Sequence, residues 1–380
     1  MLLASAKKLR SFGIIGMNQR NFGLISRYNP RHLYPLVDDK LKTKLLAQQA
    51  GVTVPQLLGT VQYQHDVKSL KEILHPYSQF VIKPVKGSGG KGILVITEHD
   101  HNLYFKPSGD AIQLADIERH VSNILSGLHS LGGKPDTVMI ESLIQLDPVF
   151  SDYSYEGIPD IRIIVLRGYP IMSMLRLTTH ASDGKANLHQ GAVGVGIDIG
   201  TGRALHAVQY GESVTHHPDT RKTFAELTVP HWDKLLQLAA ACYEMTGLGY
   251  LGADLVLDRD QGPMIIELNA RPGLAIQVAN RTGLAPRVAV IEAIETIDPD
   301  PQSRAAFSKR QFAFDADIHP PRCCVPAAMT GNYADSIPGI HDHLVAPSLL
   351  RLIKRFIGCF AQTHGIGKMR EIGNPATEVD

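Results

Sequence analysis

Three oxygen-bearing side chains, Asp254, Glu267 and Asn269, sit in a stretch that otherwise reads as two apolar strands. The strands are joined by the polar turn Asp258-Arg259-Asp260-Gln261-Gly262. Alternate strand residues share a face, so Glu267 and Asn269 project together, and pairing of the strands brings Asp254 beside them. Two carboxylates and an amide oxygen suit Mg²⁺, which takes its remaining positions from water and nucleotide phosphate. The plainer alternative is a hairpin with its polar side chains in solvent. Against it, Glu267 and Asn269 are flanked by Ile265, Ile266 and Leu268, and neighbouring buried carboxylates need a cation or bonded partners.

Other chemistry-bearing residues precede this stretch. Lys83 ends the β-type run FVIKP, and the glycine-rich loop with Gly87, Ser88, Gly89 and Gly90 follows. A lysine there places a point charge on phosphates, and glycine lets backbone N–H groups approach closely. The loop is no P-loop, because Val85 and Gly92 stand where that motif needs Gly and Ser or Thr. An ordinary hairpin tip is the competing reading. Glu141, with Ser142, Leu143 and Ile144 after it, ends another β run and suits an adenine amino group beside main-chain donors and acceptors; an exposed strand end is the alternative. Asp160 and Arg162 alternate on one strand, and Arg176 lies on the next. A carboxylate with two arginines suits a ribose and an anionic substrate, or else forms a cross-strand ion pair. Asn187 and His189 stand in a polar loop that can face a nucleotide.

The elements that position these groups are legible in outline. DDKLKTKLLAQQ (38–49) reads as a helix with an acidic N-terminus, which complements its dipole. Strand, glycine loop and strand follow over 80–97, then a helical pattern over 111–130 and a strand from Val138. DIRIIVLRGYPIMSMLRL is a hairpin, and His231–Thr246 is a helix stopped by Gly247. The chain divides into a short lead-in (1–37), a first lobe (38–135), a second lobe with the metal stretch (136–297), and a peripheral tail (298–380). Within the tail, 348–361 has apolar residues at helical spacing with basic residues between. This is either a helix packed on the body or a peripheral membrane or partner contact.

Composition narrows the function classes. The 380 residues are 44% hydrophobic and 20% charged, enough for two or three domains with a sizeable core. A net charge of +1 gives no support for nucleic-acid binding. The cysteines Cys242, Cys323, Cys324 and Cys359 lack zinc spacing, and a reduced, cytoplasmic setting is the simplest expectation. No run approaches the ~18–20 apolar residues of a membrane span, and no signal peptide is evident.

The order of these features resembles the ATP-grasp superfamily, and within it the glutamate ligases that modify a ribosomal protein and their α-L-glutamate ligase-like relatives. The resemblance runs over about 38–295 through DKLKTKLLAQQAGVTVP, FVIKPVKGSGGKGI, IESLIQ, DIRIIVLRGYPIMSMLRL with ANLHQGA, and ADLVLD with IIELNARPGL. It implies an α/β (α+β) fold of two lobes whose antiparallel sheets grip ATP, with a truncated region before the first lobe. It makes Lys40 and Lys83 the ATP lysines, Glu141–Ile144 the adenine hinge, and Asp254, Glu267 and Asn269 the ligands of Mg²⁺ (or Mn²⁺), with two ions expected in the active complex. The activity implied is ATP-dependent joining of a carboxylate to an amine through an acylphosphate. Glutamate or another amino acid is the expected donor, and a free amino acid, peptide or protein terminus the acceptor. Asp160 and Asn187 then join the nucleotide site, Arg162 meets substrate, and Arg176 and Arg271 stabilise the transferring phosphoryl and the tetrahedral intermediate. A homo-oligomer is compatible with this reading. Two departures stand out: Gly252 replaces the arginine found two before the first metal aspartate in D-alanine–D-alanine ligases, and Arg271 replaces a small residue. A small-molecule kinase and a non-catalytic nucleotide-binding scaffold are the alternative functions.

Overall fold

The computed structural model describes residues 6–314 except Ser88. The calls at Ser88, at 348–361 and at Cys323, Cys324 and Cys359 lie outside the described residues. Two antiparallel sheets organise the chain. The larger has seven strands in the spatial order 212–214, 204–209, 193–197, 169–177, 160–166, 250–258, 262–269. The smaller has four, in the order 57–61, 138–141, 80–84, 94–96. Helices pack on both sheets, which is the α/β class expected.

The central strands of the large sheet are buried nearly throughout, as Tyr250–Asp258 shows, so they carry continuous Ile, Leu and Val runs. Helix Trp232–Thr246 covers the sheet with Leu235, Leu236, Ala239 and Cys242. It ends at Gly247, whose φ of 69° lets its N–H reach the Tyr243 carbonyl. Each such fully buried Leu contributes about 1.5–3 kcal/mol relative to exposure. The small sheet has a separate core in which Ile117, Val121 and Ile124 of helix Leu114–Leu125 meet Phe80, Ile82 and Ile140. Residues 111–113, expected to begin that helix, instead pair with strand 103–105 in a three-stranded annex.

The lobe boundaries differ from the expected divisions in three places. Residues 6–38 form several helical turns, and Ile15, Leu24, Ile25 and Val37 enter the large core. The segment is fastened there by Asn29, which donates to the Tyr250 and Ala270 carbonyls and accepts the Tyr250 N–H, and by Gln277, bonded to both the Ile15 N–H and carbonyl. Strand Val138–Glu141, assigned above to the second lobe, sits between 57–61 and 80–84 in the small sheet. Residues 301–312 are no peripheral tail but a helix packed on 232–246. Its Arg304 is fully buried and bonds the Gly168, Asp298 and Ala240 carbonyls and Glu244.

Candidate active site

The hairpin 250–258/262–269 is set by its turn. Asp258 accepts the N–H groups of Asp260 and Gln261 through one oxygen and that of Gln145 through the other, all at 2.8 Å, and Gly262 takes a φ of 76°. Tying Gln145 to this turn also fixes the crossing from the small sheet to the large one. The register places Asp254 opposite Glu267, with a one-residue bulge at Ile266. On its other side Asp254 faces Arg162, and Asp160 faces Arg176. Sheet register thus gathers Glu267, Asp254, Arg162, Asp160 and Arg176 on one face, with Asn269 beside them.

Asp254 is the centre of this face and is only 2% exposed. Its Oδ1 accepts from Arg162 Nε at 2.7 Å; its Oδ2 accepts from Arg162 Nη2 at 2.5 Å, Arg176 Nη2 at 2.9 Å and Asn269 Nδ2 at 3.3 Å. Arg176 also forks onto Asp160, donating through both Nε and Nη2. Burial alone pushes Asp254 upward, but Arg162 and then Arg176 outweigh it and hold the carboxyl below its usual range. For Asp160 burial wins, opposed by Arg176 and reinforced by the Asp254 charge, and the group is raised to about 6.

Asp254, Glu267 and Asn269 form an all-oxygen donor set on adjacent strands, a chemistry that fits Mg²⁺. Among the described residues no three His, Cys, Asp or Glu side chains are placed to hold a metal ion, and the amide of Asn269 adds a third oxygen to Asp254 and Glu267. The room an arginine needs at position 252 is closed: a Cβ at Gly252 falls 2.9 Å from Pro272 Cβ.

Across the cleft, Glu141 is buried between two lysines. Its Oε1 lies 2.6 Å from Lys44 Nζ, and its Oε2 pairs with Lys83. Burial pushes Glu141 upward, yet Lys83 and Lys44 together leave it below its ordinary value; burial lowers Lys44, against the pull of Glu141. Each carboxylate oxygen thus faces one ammonium, and Glu141 holds both lysines in place at the cleft. Ser142 is likewise tied to the backbone, with its N–H on the Gln56 carbonyl and its Oγ accepting the Gln56 N–H. Leu143 and Ile144 continue this half-buried connection.

Lys44 was missed in the sequence, although it lies four residues after Lys40 and so on the same helix face. Lys40 itself spans the cleft, donating to the Gly87 carbonyl at 2.7 Å and lying 3.4 Å from Glu267 Oε1. Gly87 is a close-approach glycine, since a Cβ there falls 2.3 Å from Pro84 Cγ. Gly89 and Gly90 take positive φ, 64° and 74°, in the open turn. Asp136, a second residue the sequence reading missed, holds the loop base by accepting the Lys86 N–H and the Ser130 hydroxyl. No motif announces it. Lys40, Lys44, Glu141, Val54, Met139 and Ile265 are among the residues lining a small recess between the sheets.

Two expected residues lie apart from these clusters. Asn187 spends its Oδ1 on the His189 N–H at 3.0 Å, capping a short turn. Arg271 bonds Asp38 at 2.9 and 3.0 Å and stacks over Tyr34, 5.0 Å from the ring centroid.

The model of a family described as sugar-transfer associated ATP-grasp matches residues 19–293. A cyanophycin synthetase of Crocosphaera subtropica is 24% identical over 337 residues, covering 79% of this chain and 35% of its own length. An ATP-grasp ligase PsnB, solved with a minimal precursor, has 15% identity and a TM-score of 0.39, over 70% of this chain and 63% of that one. The L-amino acid ligase from Bacillus licheniformis has 15% identity and a TM-score of 0.37, over 72% and 47%. The chain thus spans about a third of the curated relative's length and less than two thirds of these two structures'.

Proposed function

Because the chain belongs to the sugar-transfer associated ATP-grasp family, we propose that it is an ATP-dependent ligase joining a carboxylate to an amine, with the cleft between its two sheets as the active site. The observation that carries this reading is Lys40. One side chain touches both the Gly87 carbonyl of the phosphate loop and Glu267 of the metal set, so phosphate-binding and metal-binding elements lie within a single residue's reach. The likeness to a cyanophycin synthetase supports a synthetase.

On this reading Lys40, Lys44 and Lys83 supply point charges to ATP phosphates, and Gly87, Gly89 and Gly90 let the backbone close over them. Asp160 and the connection Ser142–Ile144 border the nucleotide. Asp254, Glu267 and Asn269 hold Mg²⁺, which when bound neutralises phosphate charge. A substrate carboxylate attacks the γ-phosphate and releases ADP to give an acylphosphate, and an amine displaces phosphate, losing a proton, to form the amide. Arg162 and Arg176 are pre-aimed at the charge that develops, a form of help whose loss costs on the order of 10²–10³ in rate. Glutamate or another amino acid is the proposed donor. Because the family is described as sugar-transfer associated, we include amino and uronic sugars among the substrates to test.

The test is phosphate release from Mg-ATP across amino acids, peptides and amino or uronic sugars, with products read by mass and hydroxylamine used to trap an acylphosphate. ADP, phosphate and an amide support the ligase. Transfer of phosphate to a hydroxyl without its release identifies a kinase instead, and ATP binding with no turnover identifies a scaffold.

A further inference from the structure

Arg20 is a half-buried cation with no acid beside it among the described residues. Its Nε and Nη2 donate to Asn21 Oδ1 at 3.1 and 2.8 Å, and its Nη1 donates to the Pro272 carbonyl at 3.2 Å. A guanidinium carries five N–H donors, so two, on Nη1 and Nη2, have no partner among the described residues. Burial lowers its pKa; the charged residue that adds to this effect is another cation, Arg271. Arg271 takes the nearby acid Asp38 for itself. Beside Arg20 lies the phenol of Tyr250, fully buried and with no hydrogen-bond partner among the described residues.

The local charge is therefore two cations against one carboxylate, a surplus of a single positive charge. Water screens part of that surplus, since the Arg271 and Asp38 side chains are 52% and 50% exposed, and a bound anion neutralises it more fully. One negative charge matches it, whereas a phosphate dianion overshoots. The two unpartnered N–H groups, one on Nη1 and one on Nη2, are charged donors of the kind a carboxylate accepts. The location is also fixed. Pro272 lies three residues past Asn269, and Asn29 clamps the N-terminal segment to the backbone of Tyr250 and Ala270.

We propose that Arg20 and Arg271 bind the non-reacting carboxylate of an amino-acid substrate at the acceptor end of the cleft, so that the segment before Lys40 completes the substrate site. The proposal rests on the ligase reading above. It gives the N-terminal segment a role in specificity rather than in nucleotide binding.

The experiment compares phosphate release with each amino acid and with its carboxamide, in the wild type and in Arg20→Gln and Arg20→Lys. Glutamine keeps a donor for the Pro272 carbonyl, and unfolding midpoints show whether each variant is folded. The wild type is expected to prefer the acid. Arg20→Gln is expected to raise KM for the amino acid about 10–100-fold, leave KM for ATP unchanged and lose the acid–amide preference, while Arg20→Lys keeps part of it. A folded Arg20→Gln that discriminates like the wild type, or whose KM for ATP rises equally, overturns the proposal. Wild-type turnover that ignores the carboxylate overturns it while leaving the ligase reading intact. No phosphate release with any acid–amine pair overturns both.

Discussion

Replacing Glu141 by Gln strips the charge from a carboxylate that compensates two lysines. The Glu141 side chain is 4% exposed, that of Lys44 5% and that of Lys83 14%, so none of the three is fully served by water. Removing one partner of a buried pair costs about 3–5 kcal/mol, because the other charge remains buried. Lys83 is the wetter of the two and the Gln amide oxygen still accepts one bond, which places the expected loss at about 3–4 kcal/mol. That is a large share of a total stability of about 5–15 kcal/mol. The assay is urea unfolding of the wild type, Glu141→Gln, Lys44→Met and the double variant. The double variant should recover part of the Glu141→Gln loss, since it also removes the uncompensated ammonium. Burial already depresses the Lys44 pKa, so the Glu141→Gln deficit should shrink as pH rises and Lys44 sheds its proton. A Glu141→Gln protein within about 1 kcal/mol of wild type, the low end of what losing even an ordinary hydrogen bond costs, refutes the account. So does a double variant no more stable than Glu141→Gln.

Asp254→Asn leaves Arg162 and Arg176 with Asp160 as their shared acid, and should lower ATP turnover by at least about 10²-fold while circular dichroism stays native. His206, buried and near Arg281, has its pKa lowered to about 4. Its folded value lies below the unfolded value of about 6.5, so the stability from the neutral ring is present above pH 6.5 and is lost as pH falls through 4. The span is roughly 3 kcal/mol, and His206→Gln should flatten that limb of a stability–pH curve. Arg304→Met orphans the Gly168, Asp298 and Ala240 carbonyls and Glu244, and should cost about 3 kcal/mol or more in urea unfolding; a neutral effect would show that helix 301–312 docks by its apolar contacts alone.

What was legible in the sequence was what strand period and local spacing carry. Glu267 and Asn269 share a face because they are two apart, and the Asp258–Gly262 turn predicts the hairpin that brings in Asp254. Register across non-adjacent strands is a long-range quantity. Nothing in the local pattern says that Arg162 lands on Asp254 rather than on Asp160. Lys44 is not legible beside Lys40 for a related reason, because both lie on one helix face and only the position of Glu141 on a distant strand marks Lys44 out. Residues 6–38 hide their attachment in side-chain amides such as Asn29, whose partners lie 221 and 241 residues away. Helix 301–312 is hidden in a stretch whose proline, histidine and isolated charges read as a tail, and its buried anchor is an arginine, a residue that is seldom interior without partners.

The arginines on Asp254 also bear on how the proposed metal set would load. A carboxylate offers about four lone-pair sites, and Asp254 accepts four hydrogen bonds, three of them on Oδ2. Arg162 engages both oxygens, Nε on Oδ1 and Nη2 on Oδ2, so an ion drawing on either one meets its guanidinium as a competitor, and a displaced buried cation needs a new anion. Arg176 already holds Asp160, so Arg162 is the group left seeking one. Nucleotide phosphate supplies that anion. On this argument Mg²⁺ and nucleotide bind with positive coupling, and a value of about 1–3 kcal/mol, or 5–150-fold in affinity, is typical of such linkage. Calorimetric Mg²⁺ titration with and without a non-hydrolysable ATP analogue measures it directly. Arg162→Met, which frees Oδ1 and one bond of Oδ2, should tighten Mg²⁺ binding in the absence of nucleotide and reduce the coupling. Equal Mg²⁺ affinity with and without nucleotide in the wild type would sink the argument, because the guanidinium would then be no competitor for Asp254.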